Sequence, residues 1–157
     1  MRWRSTRGYS FVELLIVSTI LLVLASAVQP LVRVTMQRQK EVELRRALRE
    51  MRDAIDRFKD AADMGMIPVT ELSPNSEGYP PDLEALVEGV SVANDASNRK
   101  LKLLRRVPID PMTGEAEWGL RSYQDRPDAS SWGGQNVFDV RSLSTGVALD
   151  GSNYRDW

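Results

Sequence analysis

Hydrophobic and polar positions follow two different patterns along this chain, and the change falls near residue 33. From Phe11 to Val32 apolar side chains recur on every side of a helical wheel, and Glu13 is the one charge among them. Leu14 to Val32 is an uninterrupted uncharged run that would extend roughly 28 Å as helix, close to the roughly 30 Å hydrocarbon core of a bilayer. Past Val32 the pattern becomes a stripe: Leu44, Leu48, Met51, Ile55, Phe58 and Ala62 step by four and three residues, as on an amphipathic helix. Acid-before-base pairs at i and i+4, Glu41 with Arg45 and Asp53 with Arg57, would support its exposed side. Gly65 and then Pro68 end it. The spacing predicts one helix from Tyr9 to Met64, greasy all round in its first half and one-sided in its second.

The remaining residues, 65–157, must supply what packs on the stripe. Gly78-Tyr79-Pro80-Pro81 leads into a short helix through Val87, with Leu83, Leu86 and Val87 on one face. Val90 to Asn98 reads as a loop. Arg99, Lys100, Lys102, Arg105 and Arg106 form a basic cluster around Leu101, Leu103 and Leu104, which reads as a solvated edge with an apolar inner face or as a dock for an acidic partner. Strand patterns follow at Trp118 to Tyr123 and Val137 to Leu143, with turns at Gly146 and Asp150-Gly151. The fold class is therefore α+β: a long N-terminal α-helix packed on a small antiparallel sheet. Trp118, Tyr123, Trp132, Phe138 and Trp157 read as its core and rim.

Composition removes most catalytic chemistry. The chain has no Cys and no His, so thiolate nucleophiles, imidazole bases, and thiolate or imidazole metal sites are absent. Glu115 and Glu117 could suggest a carboxylate enzyme, but nothing gives them a pocket, and the chain is read as a non-enzyme. Its 21 Lys plus Arg and 22 Asp plus Glu are unevenly spread: net +2 over residues 1–32, +2 over 33–64, and −5 over 65–157. A broad basic face for nucleic acid is missing from the globular part.

Two readings compete for the first thirty residues. Arg2, Arg4 and Arg7, an apolar run, and Ala25-Ser26-Ala27 make a passable secretory signal with a cleavage site. Against this, the apolar run continues through Val28, Leu31 and Val32, the helical pattern resumes with no polar break, and a carboxylate stands at its head. A carboxylate in a membrane helix costs free energy unless a cation meets it or it snorkels to the interface. Glu13 could alternatively cap the first helical turn. Pro30, near the end of the run, removes an amide donor and its ring opposes the carbonyl four residues earlier, which reads as a simple kink.

The run Arg7-Gly8-Tyr9-Ser10-Phe11-Val12-Glu13-Leu14-Leu15 resembles the class III leader of type IV prepilins and type II secretion pseudopilins. The resemblance implies that residues 1–8 are a leader cleaved after Gly8 by a prepilin peptidase, which also methylates the new amine of Tyr9. It implies that residues 9–32 form a transmembrane and filament-core helix, that 33–64 continue the stem, and that 65–157 form the C-terminal globular domain. Glu13, fifth from Tyr9, would pair with the Tyr9 ammonium of a neighbouring subunit. A buried acid is tolerable once a cation meets it.

Gly78-Tyr79-Pro80-Pro81 with Leu83 and Leu86, then Val107-Pro108-Ile109-Asp110-Pro111 with Gly114 and Trp118, resemble the major, G-type pseudopilin of type II secretion. So do Val137 to Gly146, Asp150-Gly151 and the closing Asp156-Trp157. That likeness implies a structural subunit of a periplasmic pseudopilus, drawn from the inner membrane, whose growth pushes substrates through the outer membrane. Its partners would be copies of itself in a helical filament, minor pseudopilins, the prepilin peptidase and an inner-membrane assembly platform. It also implies a calcium ion at Asp150 and Asp156, although the loop is short and Arg155 stands where a further acid would be usual. A type IV pilin-like subunit for adhesion or motility, and an exported soluble binding domain behind an ordinary signal peptide, remain alternatives.

Overall fold

The computed structural model describes residues 10–93, 99–129 and 131–157, with backbone alone at 27–31. The fold is α+β: one long helix, then a short helix and two small antiparallel sheets. Helix α1 runs Phe11–Asp63, within two residues of the span expected at either end, and its backbone continues through position 30. By internal contacts the chain divides into two units, residues 1–38 and 39–157. That division lies within α1, so the part of the helix that bears the one-sided stripe belongs to the globular unit.

In the first unit, described side chains from Ser10 to Ser26 are all exposed. The two hydroxyls on this stretch with a recorded bond turn back onto their own helix: Thr19 donates to the Leu15 carbonyl at 2.8 Å and Ser26 to the Val23 carbonyl at 2.7 Å. Hydroxyls satisfied this way present little unmet polarity to an apolar environment.

In the second unit the predicted stripe is the core. Leu44, Leu48, Met51, Ile55 and Phe58 are at most 2% exposed, and Ala62 packs beside them. Each large side chain buried this fully contributes about 1.5–3 kcal/mol. They meet Leu83, Leu86, Leu104, Trp118, Val137 and Val140 from the rest of the unit. The stop after Asp63 has a definite geometry. Gly65 takes φ +68°, its amide donates to the Ala62 carbonyl, and the Met66 amide donates to Ala61. This pair of hydrogen bonds around a left-handed residue caps two open carbonyls of the last turn.

Helix α2 spans Glu84–Glu88, and the Asp82 carboxylate just ahead of it accepts the Ala85 amide at 2.7 Å. Val90–Ser91 (β1) pairs antiparallel with Lys100–Leu101 (β2), a correction to the loop expected over 90–98, of which 94–98 lie outside the described residues. Each strand is two residues long, too short for alternation to show. The turn into it needs Gly89, at φ +82°, where a Cβ would stand 2.9 Å from the Leu101 carbonyl oxygen. Gly119–Arg121 (β3) pairs with Asp139–Arg141 (β4) in the register Leu120 opposite Val140. Both strands fall inside the predicted segments but are shorter: beside them the Phe138 amide donates to the Arg121 carbonyl, the Val137 amide turns away to the Pro80 carbonyl, and the Ser142 hydroxyl donates to Asp110. Asn136, fully buried, accepts the Tyr123 amide on its side chain and the Ser122 hydroxyl and Trp132 indole on its carbonyl.

Candidate assembly site

Glu13 stands in the first turn of α1, three residues after Ser10, whose carbonyl accepts the Leu14 amide at 3.1 Å. A carboxylate there is favoured by the positive end of the helix dipole. It is exposed and has no hydrogen-bond or ion-pair partner among the described residues. Gly8 and Tyr9, the expected cleavage and methylation site, lie outside the described residues, so the Glu13 to Tyr9 pairing does too. The side chain of Pro30 is likewise outside them.

The apolar surface beyond Glu13 is the other half of the site. Phe11, Leu14, Ile16, Ile20, Leu22 and Leu24 are 54–76% exposed. A helix that is apolar on every side needs either lipid or other apolar helices around it. Among the described residues no helix is long and apolar enough to cross a membrane. Within the expected span to Val32, the side chains at 27–31 lie outside the described ones.

The second expected site, Asp150 and Asp156, is held by direct hydrogen bonds. The Ser152 hydroxyl (2.6 Å) and amide (2.9 Å) donate to one Asp150 oxygen, and Arg45 stands 3.4 Å from the other. The Ser152 bonds, with Arg45 adding to them, hold the Asp150 carboxyl below its ordinary value. The Ser152 hydroxyl oxygen accepts the Trp157 indole N–H at 2.7 Å, and Asp156 accepts from the Asn153 amide at 3.0 Å. Among the described residues no group of three Asp, Glu, His or Cys side chains is placed to hold a metal ion. Two carboxylates, one hydroxyl and one amide fall short of the six to eight oxygens calcium takes, so the fit is partial.

Several anchors of this region read in the sequence as ordinary solvated helix positions. Arg52 donates to Asp139 at 2.7 Å, to the Val140 carbonyl at 3.0 Å and to the Trp157 carbonyl at 2.9 Å. Glu41 accepts the Leu149 amide at 2.8 Å and the Tyr154 hydroxyl at 3.0 Å. The guanidinium of Arg45 lies 4.1 Å from the centre of the Trp157 ring, a cation–π contact. Only their partners, about a hundred residues away, distinguish them from neighbours such as Arg49. Asp53 and Arg57, the expected helical pair, form no ion pair among the described residues.

The basic cluster has the apolar inner face expected of it: Leu104 is buried and Leu101 and Leu103 half-buried, while Lys102, Arg105 and Arg106 are exposed. Glu115 and Glu117 are both exposed.

Residues 3–28 match the family model described as the prokaryotic N-terminal methylation motif, which is typical of type IV pilin-like proteins. The match spans Gly8, Tyr9, Glu13 and the head of the exposed apolar helix. No curated protein and no solved structure gives a match.

Proposed function

We propose that this chain is a filament-forming structural subunit, the major pseudopilin of a type II secretion system. It enters the inner membrane, is cleaved after Gly8 and methylated on Tyr9, and is drawn into a periplasmic pseudopilus whose growth pushes substrates across the outer membrane. The match of residues 3–28 to the methylation motif carries the reading. It is supported by an exposed carboxylate, Glu13, at the head of a helix with apolar residues on all sides. The choice of a pseudopilin rests on the likeness of residues 78–87, 107–118 and 137–157 to the G-type subunit.

In this account the globular unit performs no chemistry, and the functional surfaces are assembly surfaces. Copies of the chain, minor pseudopilins, the peptidase and an inner-membrane platform are the proposed partners. Gly8→Leu should block processing while leaving insertion intact, because it changes the residue before the cleaved bond and none of the apolar run. Immunoblots of membranes co-expressing a prepilin peptidase would show one unprocessed band. A processed band at the parental level would contradict the assignment of the cleavage site.

A weak calcium site at Asp150 and Asp156 is a separate proposal. A calcium ion there would have to compete with the Ser152 donors and with Arg45, so binding should need on the order of 10⁻⁴–10⁻³ M calcium, as in extracellular modules. Millimolar calcium should raise the Tm of the full chain in detergent, reversed by chelator and lost in Asp150→Asn. An unchanged Tm dismisses the site.

A further inference from the structure

Beside Trp157 the stem carries three arginines at i, i+4 and i+7. Arg45, Arg49 and Arg52, with Leu48 and the indole of Trp157, line a notch of about 280 Å³. Arg45 faces Asp150 and Arg52 is tied to Asp139. Arg49 has no partner among the described residues. The notch therefore holds one unanswered guanidinium against an aromatic wall, suited to a carboxylate whose methylenes can lie on the indole.

Unanswered carboxylates occur on another flank of the same helix. Glu43 and Glu50 line a groove of about 590 Å³ with Arg46, Arg105 and Arg106, and neither forms an ion pair among the described residues. At 3.6 residues per turn Glu43 lies about 120° round the helix from Arg49. One copy therefore cannot join them, but two parallel copies can.

We propose that Glu43 of one copy seats in the Arg49 notch of the next, a head-to-tail contact repeated along the filament. The inference deepens the filament reading above and rests on it. The choice of acid follows from the rise of the helix. Glu50 against Arg49 would leave two stems almost level, and a level head-to-tail contact closes into a ring. Glu43 against Arg49 staggers them by six residues, about 9 Å, and a staggered contact runs on as an open helix.

The absence of cysteine makes the test clean. The full chain bearing Arg49→Cys and Glu43→Cys, assembled and treated with a short bis-maleimide, should give a ladder of dimer, trimer and higher species. Arg49→Cys with Glu50→Cys should give little, and Arg49→Cys alone no dimer. A ladder favouring Glu50, a dimer from Arg49→Cys alone, or visible filaments without a ladder would each overturn the contact. In parallel, Arg49→Glu and Glu43→Arg should each lower filament yield by about tenfold or more, since each brings like charges together. The two combined should restore yield to within about threefold of the parent. Filaments without that rescue also overturn it. If the parent chain forms no filament by electron microscopy, the filament reading fails and the contact falls with it.

Discussion

Glu13→Leu should leave a chain that inserts, is processed and folds, yet assembles at least about a hundredfold less well than the parent. In the proposed filament the Glu13 carboxylate answers the Tyr9 ammonium of a neighbouring copy inside apolar surroundings. Removing one partner of a buried pair strands the other charge, at a cost of about 3–5 kcal/mol. Monomer stability should not change, because Glu13 is exposed and has no partner among the described residues. The readout is the amount of sheared filament pelleted from cells, with the melting temperature of the detergent-solubilised monomer as control. Filaments at the parental level would remove the pairing from the account. A loss of monomer stability would mean that Glu13 acts within its own chain.

The largest effect on folding is expected at Phe58. Its side chain is fully buried on the inner stripe of α1, so Phe58→Ala should destabilise the globular unit by about 3–5 kcal/mol through lost transfer energy and a residual cavity. Urea unfolding of the full chain in detergent, followed by tryptophan fluorescence, should show the midpoint falling with little change in slope. Arg57→Ala, one residue away but exposed and without an ion-pair partner among the described residues, should stay within about 0.5 kcal/mol of the parent. Similar losses in the two variants would mean that the stripe is not the core.

The stripe was legible because helical periodicity is a local property: Leu44, Leu48, Met51, Ile55 and Phe58 all stand where their spacing places them. The stop at Gly65 was legible for the same reason, since a left-handed cap needs a residue without a Cβ. The β1–β2 pairing was not, as two-residue strands carry no alternation and the partners, Val90 with Leu101 and Ser91 with Lys100, are set by the fold. Arg52 and Glu41 were invisible for a stronger reason. Their roles are set by Asp139, Val140, Leu149 and Tyr154, and nothing in a helix of alternating charges marks which positions will meet a distant loop. The proposed assembly site divides along the same line. Its position came from a compact motif around Gly8 and Glu13, whereas the notch around Arg49 needed Trp157 brought beside the stem.

Whether this chain is a processed filament subunit is decided by the intact mass of the protein recovered from its own host's membranes. The mature chain should begin at Tyr9 and carry one added methyl group. A chain beginning at Val28 in the soluble fraction would contradict the filament reading, since cleavage there removes Glu13 together with the apolar helix that the filament requires.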